Sequence, residues 1–295
     1  MTALATRPAT SPRARQEQRR PPRRGPGARL LLGGLLLALL AVLLPFVIVT
    51  MNALKTPAEY AGAGPLALPH GVHLQGIVDF WKRVDYTQKL WNSLLISGSV
   101  AVAAVVLSLL NAYALGIGRV RGRLWLLVLF MVANTLPQEA LAYPLYYFSK
   151  QLGLYDSRIS VIIVFSVIQS AFGTYLLSSV FSQFPREILE AARIDGAGTF
   201  RLLWNVVVPV SRPTLAVLFT FFFIWTWNEF FLPLVLLISN DKQTVPVALG
   251  VLQGDRMMDA TTSSASALLG IIPAILFFLL FQRTLARGVT AGAVK

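Results

Sequence analysis

The feature that most constrains this chain is how far it runs with almost no charge. Residues 30–50, 92–117, 124–147, 159–181, 214–238 and 266–286 are apolar runs, each of roughly 20 residues or more, enough for a helix to cross the hydrocarbon of a bilayer. Lipid offers no partner to a backbone N–H or C=O, so a run of this length must satisfy its own groups as a helix. The expected fold is therefore all-α, a polytopic membrane protein with six transmembrane helices. Composition agrees, because only 13% of the residues are charged, about half the roughly 25% of an average soluble domain. The 295 residues include no cysteine, which excludes disulfides, thiolate metal sites and cysteine nucleophiles.

The ends and connections follow from charge. Residues 1–29 combine Pro, Ala and Gly with Arg7, Arg13, Arg15, Arg19, Arg20, Arg23, Arg24 and Arg29, a composition that builds no core and predicts a disordered basic tail. The run from Leu30 to Thr50 is full-length and leads into Met51-Asn52 without a small-residue cleavage site, so it is expected to be a retained helix and not a signal peptide. A net charge of +13 would suggest nucleic acid in a soluble protein. Here it has another cause, because the cytoplasmic loops of membrane proteins collect Lys and Arg. Six spans put both termini on one side. With that side taken as the cytoplasm, the tail, 118–123, 182–213 and the C-terminus counted from Arg283 hold 18 of the 26 Lys and Arg, Arg119, Arg121 and Arg123 among them. The expected order is a cytoplasmic tail 1–29, a first span 30–50, an outer loop 51–91, a five-helix core 92–286 and a cytoplasmic tail 287–295. A second outer loop, 239–265, carries Gly and Pro with charge, as loops in water do.

One cytoplasmic connection is unlike the others. In 186–213, "REILEAARID" suits a short helix with Glu187, Glu190 and Arg193 on a polar face and Ile188, Ala191 and Ala192 on a small apolar one. Gly196 can end that helix in a left-handed cap, Gly198 adds a second soft position, and a new helix can start at Thr199. Pro209 and Pro213 are expected to steer the chain into the next span. Such an element reads as a helical surface loop, as a DNA-binding helix-turn-helix, or as a docking element for a cytoplasmic partner. Tethering between two spans counts against the second.

Glu190-Ala191-Ala192, Gly196 after three intervening residues, then Val206 and Val208-Pro209 resemble the EAA motif of ABC-importer permeases, with valine at the two aliphatic positions. Asp195-Gly196-Ala197 looks like the form common in sugar permeases. "WTWNEFFLPL" at 225–234, "TLPQEALAYPLYY" at 135–147 and "GVTAGAVK" at 288–295 are similar to the fifth span, the proline-broken third span and the C-terminal tail of maltose-type permeases. The resemblance covers about residues 30–295. It implies a type I importer (MetI-like) permease fold and one half of a heterodimeric channel. Its implied partners are a second permease subunit, two ATP-binding subunits holding ATP and Mg, and an extracellular solute-binding protein. It implies that Glu190, Ala191, Ala192, Asp195 and Gly196 couple ATP hydrolysis to alternating access, for a di- or oligosaccharide or, alternatively, a glycerol phosphate or polyol.

The residues agree on the division of labour. The chain has no G-x-x-x-x-G-K-[ST] loop and no H-E-x-x-H or G-x-S-x-G, so no cofactor, metal or catalytic residue is expected on it. Glu139 and Glu229 fall within apolar runs, where carboxylates are costly and usually face a cavity or a partner. Glu229, with Trp227 and Asn228, is a candidate for the translocation path or gate, or else for a structural hydrogen bond at the interface with the second permease. Glu139, beside Pro137, reads first as a partner for backbone groups freed by a broken helix. Phe219 to Phe223 are expected against lipid or between helices. His70 and His73 lack a third ligand for a metal. A self-contained secondary transporter or channel is the competing class, and it would be expected to show internal repeats that are not visible here.

Overall fold

The computed structural model describes residues 26–118, 120–253 and 259–293, and every regular element among them is helical. In order these are α1 (Pro26–Ala53), α2 (Pro57–Ala63), α3 (Gln75–Arg83), α4 (Tyr86–Gly116), α5 (Arg123–Thr135), α6 (Ala142–Gln151), α7 (Arg158–Ser182), α8 (Arg186–Ile194), α9 (Thr199–Leu202), α10 (Val208–Asn228), α11 (Phe231–Leu236), α12 (Val245–Gln253) and α13 (Ala260–Ala293). Most of the tail expected over 1–29 lies outside the described residues. Its last four residues already belong to α1, whose first residue is Pro26, the position where a missing N–H goes unnoticed. Residues up to Val47 form one compact unit and those from Ile48 another. The first is a helix that is apolar all round, as a lipid-immersed span is.

Five helices are long and apolar enough to cross a membrane, and a sixth span appears if α5 and the segment from Gln138 to Gln151 count as one, bent by 93°. The bend has a local cause. Pro137 forbids the α conformation to the residue before it, so Leu136 is extended (φ −69°, ψ 126°) and α5 stops at Thr135. A 3₁₀ turn over Gln138–Leu141 then restarts the helix.

The core is built on α4 and α7, which run parallel. A Cβ on Gly173 would meet Ser108, and one on Gly116 would meet Phe181, so both contacts keep the same sequence offset along the pair. The seam uses small side chains: Ser97, Ala101, Ala104, Ser108 and Ala112 on α4 against Ser166, Ser170 and Gly173 on α7, all buried. With lipid outside there is no hydrophobic gain in pairing two apolar helices, so close approach and hydrogen bonds hold them. Ser108 Oγ donates to Ala104 O (2.6 Å) and reaches Ser170 O (3.3 Å), and Asn111 Nδ2 donates to Thr174 Oγ1 (3.4 Å). Against this pair lies α10, and α13 closes on α10 through Phe223, Trp227, Phe277 and Phe281.

The two ends of the bundle differ. At one end lie α8, α9 and the C-termini of α4 and α7. At the other, the connections are tied down by buried polar groups. Asn92 Nδ2 donates to Asp241 O (2.7 Å) and Gln243 O (2.9 Å), Val245 N donates to Ser93 Oγ (2.8 Å), and Lys89 Nζ donates to Asn240. Asp156 accepts from Ile238 N and Ser239 N (both 3.0 Å) and from Lys242 Nζ (2.8 Å).

The connections 51–91 and 239–265 carry helices of their own, α2, α3 and α12 and the first turns of α4 and α13. Thr56 caps α2 by accepting from Glu59 N (3.2 Å), and Asp259 caps α13 by accepting from Thr261 N and Thr262 N (both 2.9 Å). Pro209 and Pro213 do not turn the chain, since Thr199–Asn228 is one helical run. Just before Pro209 the run widens into a π turn over Leu203–Val207, with Val208 N donating to Leu203 O. At the C-terminus α13 runs on to Ala293, so the expected tail from 287 continues a helix as far as it is described.

Candidate functional site

The arm formed by α8 has the helix-bend-helix form expected from its sequence. Its C-terminus is a Schellman cap: Ala197 N donates to Ala192 O (2.9 Å) and Gly196 N to Arg193 O (3.0 Å). The cap requires a left-handed residue, and Gly196 supplies it at φ 77°. A Cβ on Gly196 would meet nothing within 4 Å, so glycine is needed here for its backbone and not for space.

The faces of α8 differ from the expected division. Leu189 is buried in the cluster that also holds Phe181, Phe184, Leu202, Leu203 and Val207, and Ala192 is half-buried against it. Ala191, Ile188 and Ile194 face outward, Ile194 being 86% exposed. The small apolar face therefore splits: Ala192 turns to the chain's own core and Ala191 to solvent. Glu190 is exposed on the side of α8 that carries Arg186, Leu189 and Arg193, along a cavity beneath the arm. Asp195 is exposed at the C-cap. Tyr113 Oη donates to Thr199 O (3.2 Å), fastening the second helix of the bend to α4. The helix-turn-helix reading fails on packing, because α8 buries only Leu189 and has no core apart from the spans.

The "WTWNE" segment separates into two roles. Trp227 is 4% exposed and stacks on Phe223 (6.0 Å between ring centroids) and edge-on to Phe277 (4.6 Å), so it packs α10 on α13. Trp225, one turn away from the core, is 43% exposed. With Gln138, Gln169, Asn228 and Glu229 it lines a cavity of about 260 Å³. Glu229 follows the last residue of α10, and its carboxylate faces the backbone N–H groups of Phe230, Phe231 and Leu232 at the start of α11. Its carboxylate thus lies near those N–H groups and on the wall of the cavity.

Sequence reading missed Gln169, whose signal was an amide in the apolar run 159–181. It is 5% exposed, its Nε2 donates to Thr226 Oγ1 (2.8 Å), and its Oε1 has no partner among the described residues. A buried acceptor left open beside a cavity is a place for a hydroxyl group. Glu139 is exposed in the 3₁₀ turn, close enough to Glu229 to act on it electrostatically. Among the described residues no three His, Asp or Glu converge on a metal position. His70 Nδ1 instead meets Glu59 Oε1 at 2.8 Å.

Comparison with known proteins gives the same reading over most of the chain. The structure superposes on a crystal structure of a bacterial ABC transporter involved in the import of the acidic polysaccharide alginate with a TM-score of 0.75. The match covers 89% of this chain and 99% of that one at 23% identity, which speaks to the fold. The chain is 30% identical to the inner membrane ABC transporter permease protein YcjP of Escherichia coli (strain K12), over 89% of this chain and 94% of that protein. It is 30% identical to the sn-glycerol-3-phosphate transport system permease protein UgpE of Brucella abortus (strain 2308), over 88% and 95%. With the diacetylchitobiose uptake system permease protein NgcG of Streptomyces coelicolor it shares 26%, over 86% and 84%. Residues 104–291, from the middle of α4 almost to the end of α13, match the family described as binding-protein-dependent transport system inner membrane component. This sets aside a self-contained transporter: the chain belongs to that family, as a multi-pass, non-catalytic permease subunit that works with an ATP-hydrolysing subunit and a solute-binding protein.

Proposed function

We propose that this chain is one half of a heterodimeric channel that imports a di- or oligosaccharide. A second permease subunit lies beside it, and two ATP-binding subunits, carrying ATP and Mg, engage the arm. The observation that carries this reading is α8: a short helix held at its root by Leu189 and a Schellman glycine, presenting Ile188, Ala191 and Ile194 outward beyond the spans. An exposed apolar face on so small an element is suited to a partner's cleft. Arg121, Arg123, Arg186, Arg193 and Arg201 gather at the same end of the bundle, which supports a cytoplasmic arm end and, by the parity of six spans, cytoplasmic termini.

A physical route for coupling follows from the packing. Leu189 of the arm and Trp227 near the far end of α10 belong to one contiguous cluster, through Leu203, Val207, Leu218 and Phe223. The neighbour of Trp227, Thr226, holds Gln169 at the wall of the cavity. Displacing the arm therefore strains the packing that positions the cavity wall, and alternating access needs contacts that differ between two states.

The cargo assignment rests on the wall's chemistry and on the relatives. The wall offers amides, a carboxylate, Trp225 and the apolar Phe165 and Ile224, with no Lys or Arg among the described residues, which suits neutral hydroxyl-rich cargo better than a phosphate. Its size, about 260 Å³, is below the roughly 300–1,000 Å³ of a complete small-molecule pocket, as expected of one side of a shared path. Uptake of a labelled disaccharide panel and of labelled glycerol 3-phosphate by vesicles containing the reconstituted complex tests this. Trp225→Ala should lower disaccharide uptake while the subunits still co-purify. Transport of glycerol 3-phosphate alone would reject the sugar assignment, and full uptake by both Trp225→Ala and Glu229→Gln would reject the wall.

A further inference from the structure

Beneath the arm lies a second, larger cavity, of about 560 Å³, with Arg123, Arg186 and Arg193 on its wall together with Glu190. Three guanidiniums against one carboxylate leave an excess of positive charge. None of the three makes an ion pair among the described residues. Arg123 is the first residue of α5 and Arg186 the first of α8, and neither helix has a side-chain N-cap, so two sets of open backbone N–H groups add to the positive field. The floor is apolar, from Ile117, Phe181, Phe184 and Leu189.

The depth and the flank of this cavity point to its ligand. It lies where α4 and α7 end and α5 begins, the level at which a membrane-spanning bundle meets lipid headgroups. From Arg123 the exposed side of α5 continues with Leu124 and Trp125, 72% and 77% exposed, and Leu129, 61%. Trp at that level is typical of the interface, and the leucines offer a surface for acyl chains. The face of α8 turned to the cavity, Arg186, Leu189, Glu190 and Arg193, is also not the face that carries Ile188 and Ala191. A subunit docked on Ile188 and Ala191 would leave the α5 side of the cavity, at Arg123, open to the membrane.

We propose that the cavity under α8 is a phosphate site that takes the headgroup of an anionic phospholipid and so ties the arm to the membrane. Phosphate accepts several charge-assisted hydrogen bonds from guanidinium groups at once, which neutralises charge that the fold leaves unpaired. The proposal is independent of the cargo.

The cysteine-free chain makes the test direct. Ser182 lines the cavity, so the full chain carrying Ser182→Cys is placed in phosphatidylcholine nanodiscs and its reaction rate with a neutral maleimide is measured. Replacing half the lipid by phosphatidylglycerol should slow the reaction about tenfold, the effect of a site filled nine parts in ten. Arg123→Gln with Arg193→Gln should abolish the protection, and Arg123→Lys with Arg193→Lys should retain most of it, which separates lost charge from lost fold. Protection by inorganic phosphate in phosphatidylcholine discs would identify a soluble phosphate as an alternative source for the same site. An unchanged rate with phosphatidylglycerol would overturn the proposal. So would equal slowing in the Gln variant, which reports surface charge alone, or protection by the ATP-hydrolysing subunit but by no lipid.

Discussion

Gly173 tests the seam on which the bundle is built. A Cβ at that position would lie 2.1 Å from Ser108 Oγ, 2.7 Å from Ser108 Cβ and 2.9 Å from Phe222 Cζ. The hydroxyl cannot swing aside freely, because Ser108 Oγ donates to Ala104 O at 2.6 Å in a fully buried position. Gly173→Ala must therefore break that bond and, with Ser108 Cβ and Phe222 Cζ still closer than 3 Å, also push the neighbouring helices apart. Overpacking of this kind costs about 1–3 kcal/mol, and loss of the bond about 0.5–1.5 kcal/mol more. We expect Gly173→Ala to lower the thermal unfolding midpoint of the detergent-solubilised chain and Ser108→Gly to be mildly destabilising. The double variant should be more stable than Gly173→Ala alone, with a coupling of about 1 kcal/mol or more. A Gly173→Ala chain as stable as the parent, or strictly additive effects, would refute the close parallel seam.

At the cap of α8, Gly196→Ala should leave insertion and global unfolding unchanged but disfavour the left-handed turn by about 1 kcal/mol, read as faster amide exchange at Ala197 and reduced ATP-driven uptake. Asp156 gives a pH dependence: burial by itself would raise its pKa, but Lys242 and the Ser239 hydroxyl and N–H outweigh that and hold it far below the ordinary carboxylate range. Because the folded pKa is depressed, its stabilisation is complete above about pH 4 and is lost as pH falls further. Asp156→Asn should therefore cost about 1–2 kcal/mol at neutral pH, since both partners are partly exposed, and should flatten the acid limb; an acid limb identical to the parent's would exclude Asp156 as a contributor. Trp227→Ala should open a cavity between α10 and α13 and destabilise the chain by about 3–5 kcal/mol, whereas Trp225→Ala should leave the unfolding midpoint nearly unchanged.

Features set by local chemistry were readable in the sequence. The spans follow from uncharged length, the break in the third from Pro137, and the arm's bend from Gly196, because each depends on a few adjacent residues. What depends on the far side of a contact was not readable. The apolar residues of α8 do not reveal that Ala192 meets the chain's own core while Ala191 meets solvent, since only the position of Phe181, Phe184 and Leu202 decides it. Trp225 and Trp227 are two residues apart and chemically alike, and only the approach of Phe277 on α13 makes one a packing residue. Pro209 lacks the N–H of a helical bond, yet the helix runs on through it, with a π turn over Leu203–Val207 just before it. Gln169 carried a legible signal, an amide in an apolar run, but its partner Thr226 is 57 residues away.

The most direct test of coupling through α8 uses Ala191→Cys and Ala192→Cys in the cysteine-free chain, labelled by an aqueous maleimide with and without the ATP-hydrolysing subunits. If the outward face of α8 is the docking face, Cys at 191 should react readily in the isolated permease pair and become protected when the ATP-hydrolysing subunits bind. Cys at 192, half-buried against Leu189 and its neighbours, should react slowly in both. Equal, rapid labelling at 191 in an assembled complex that hydrolyses ATP and transports its cargo would contradict docking through this face.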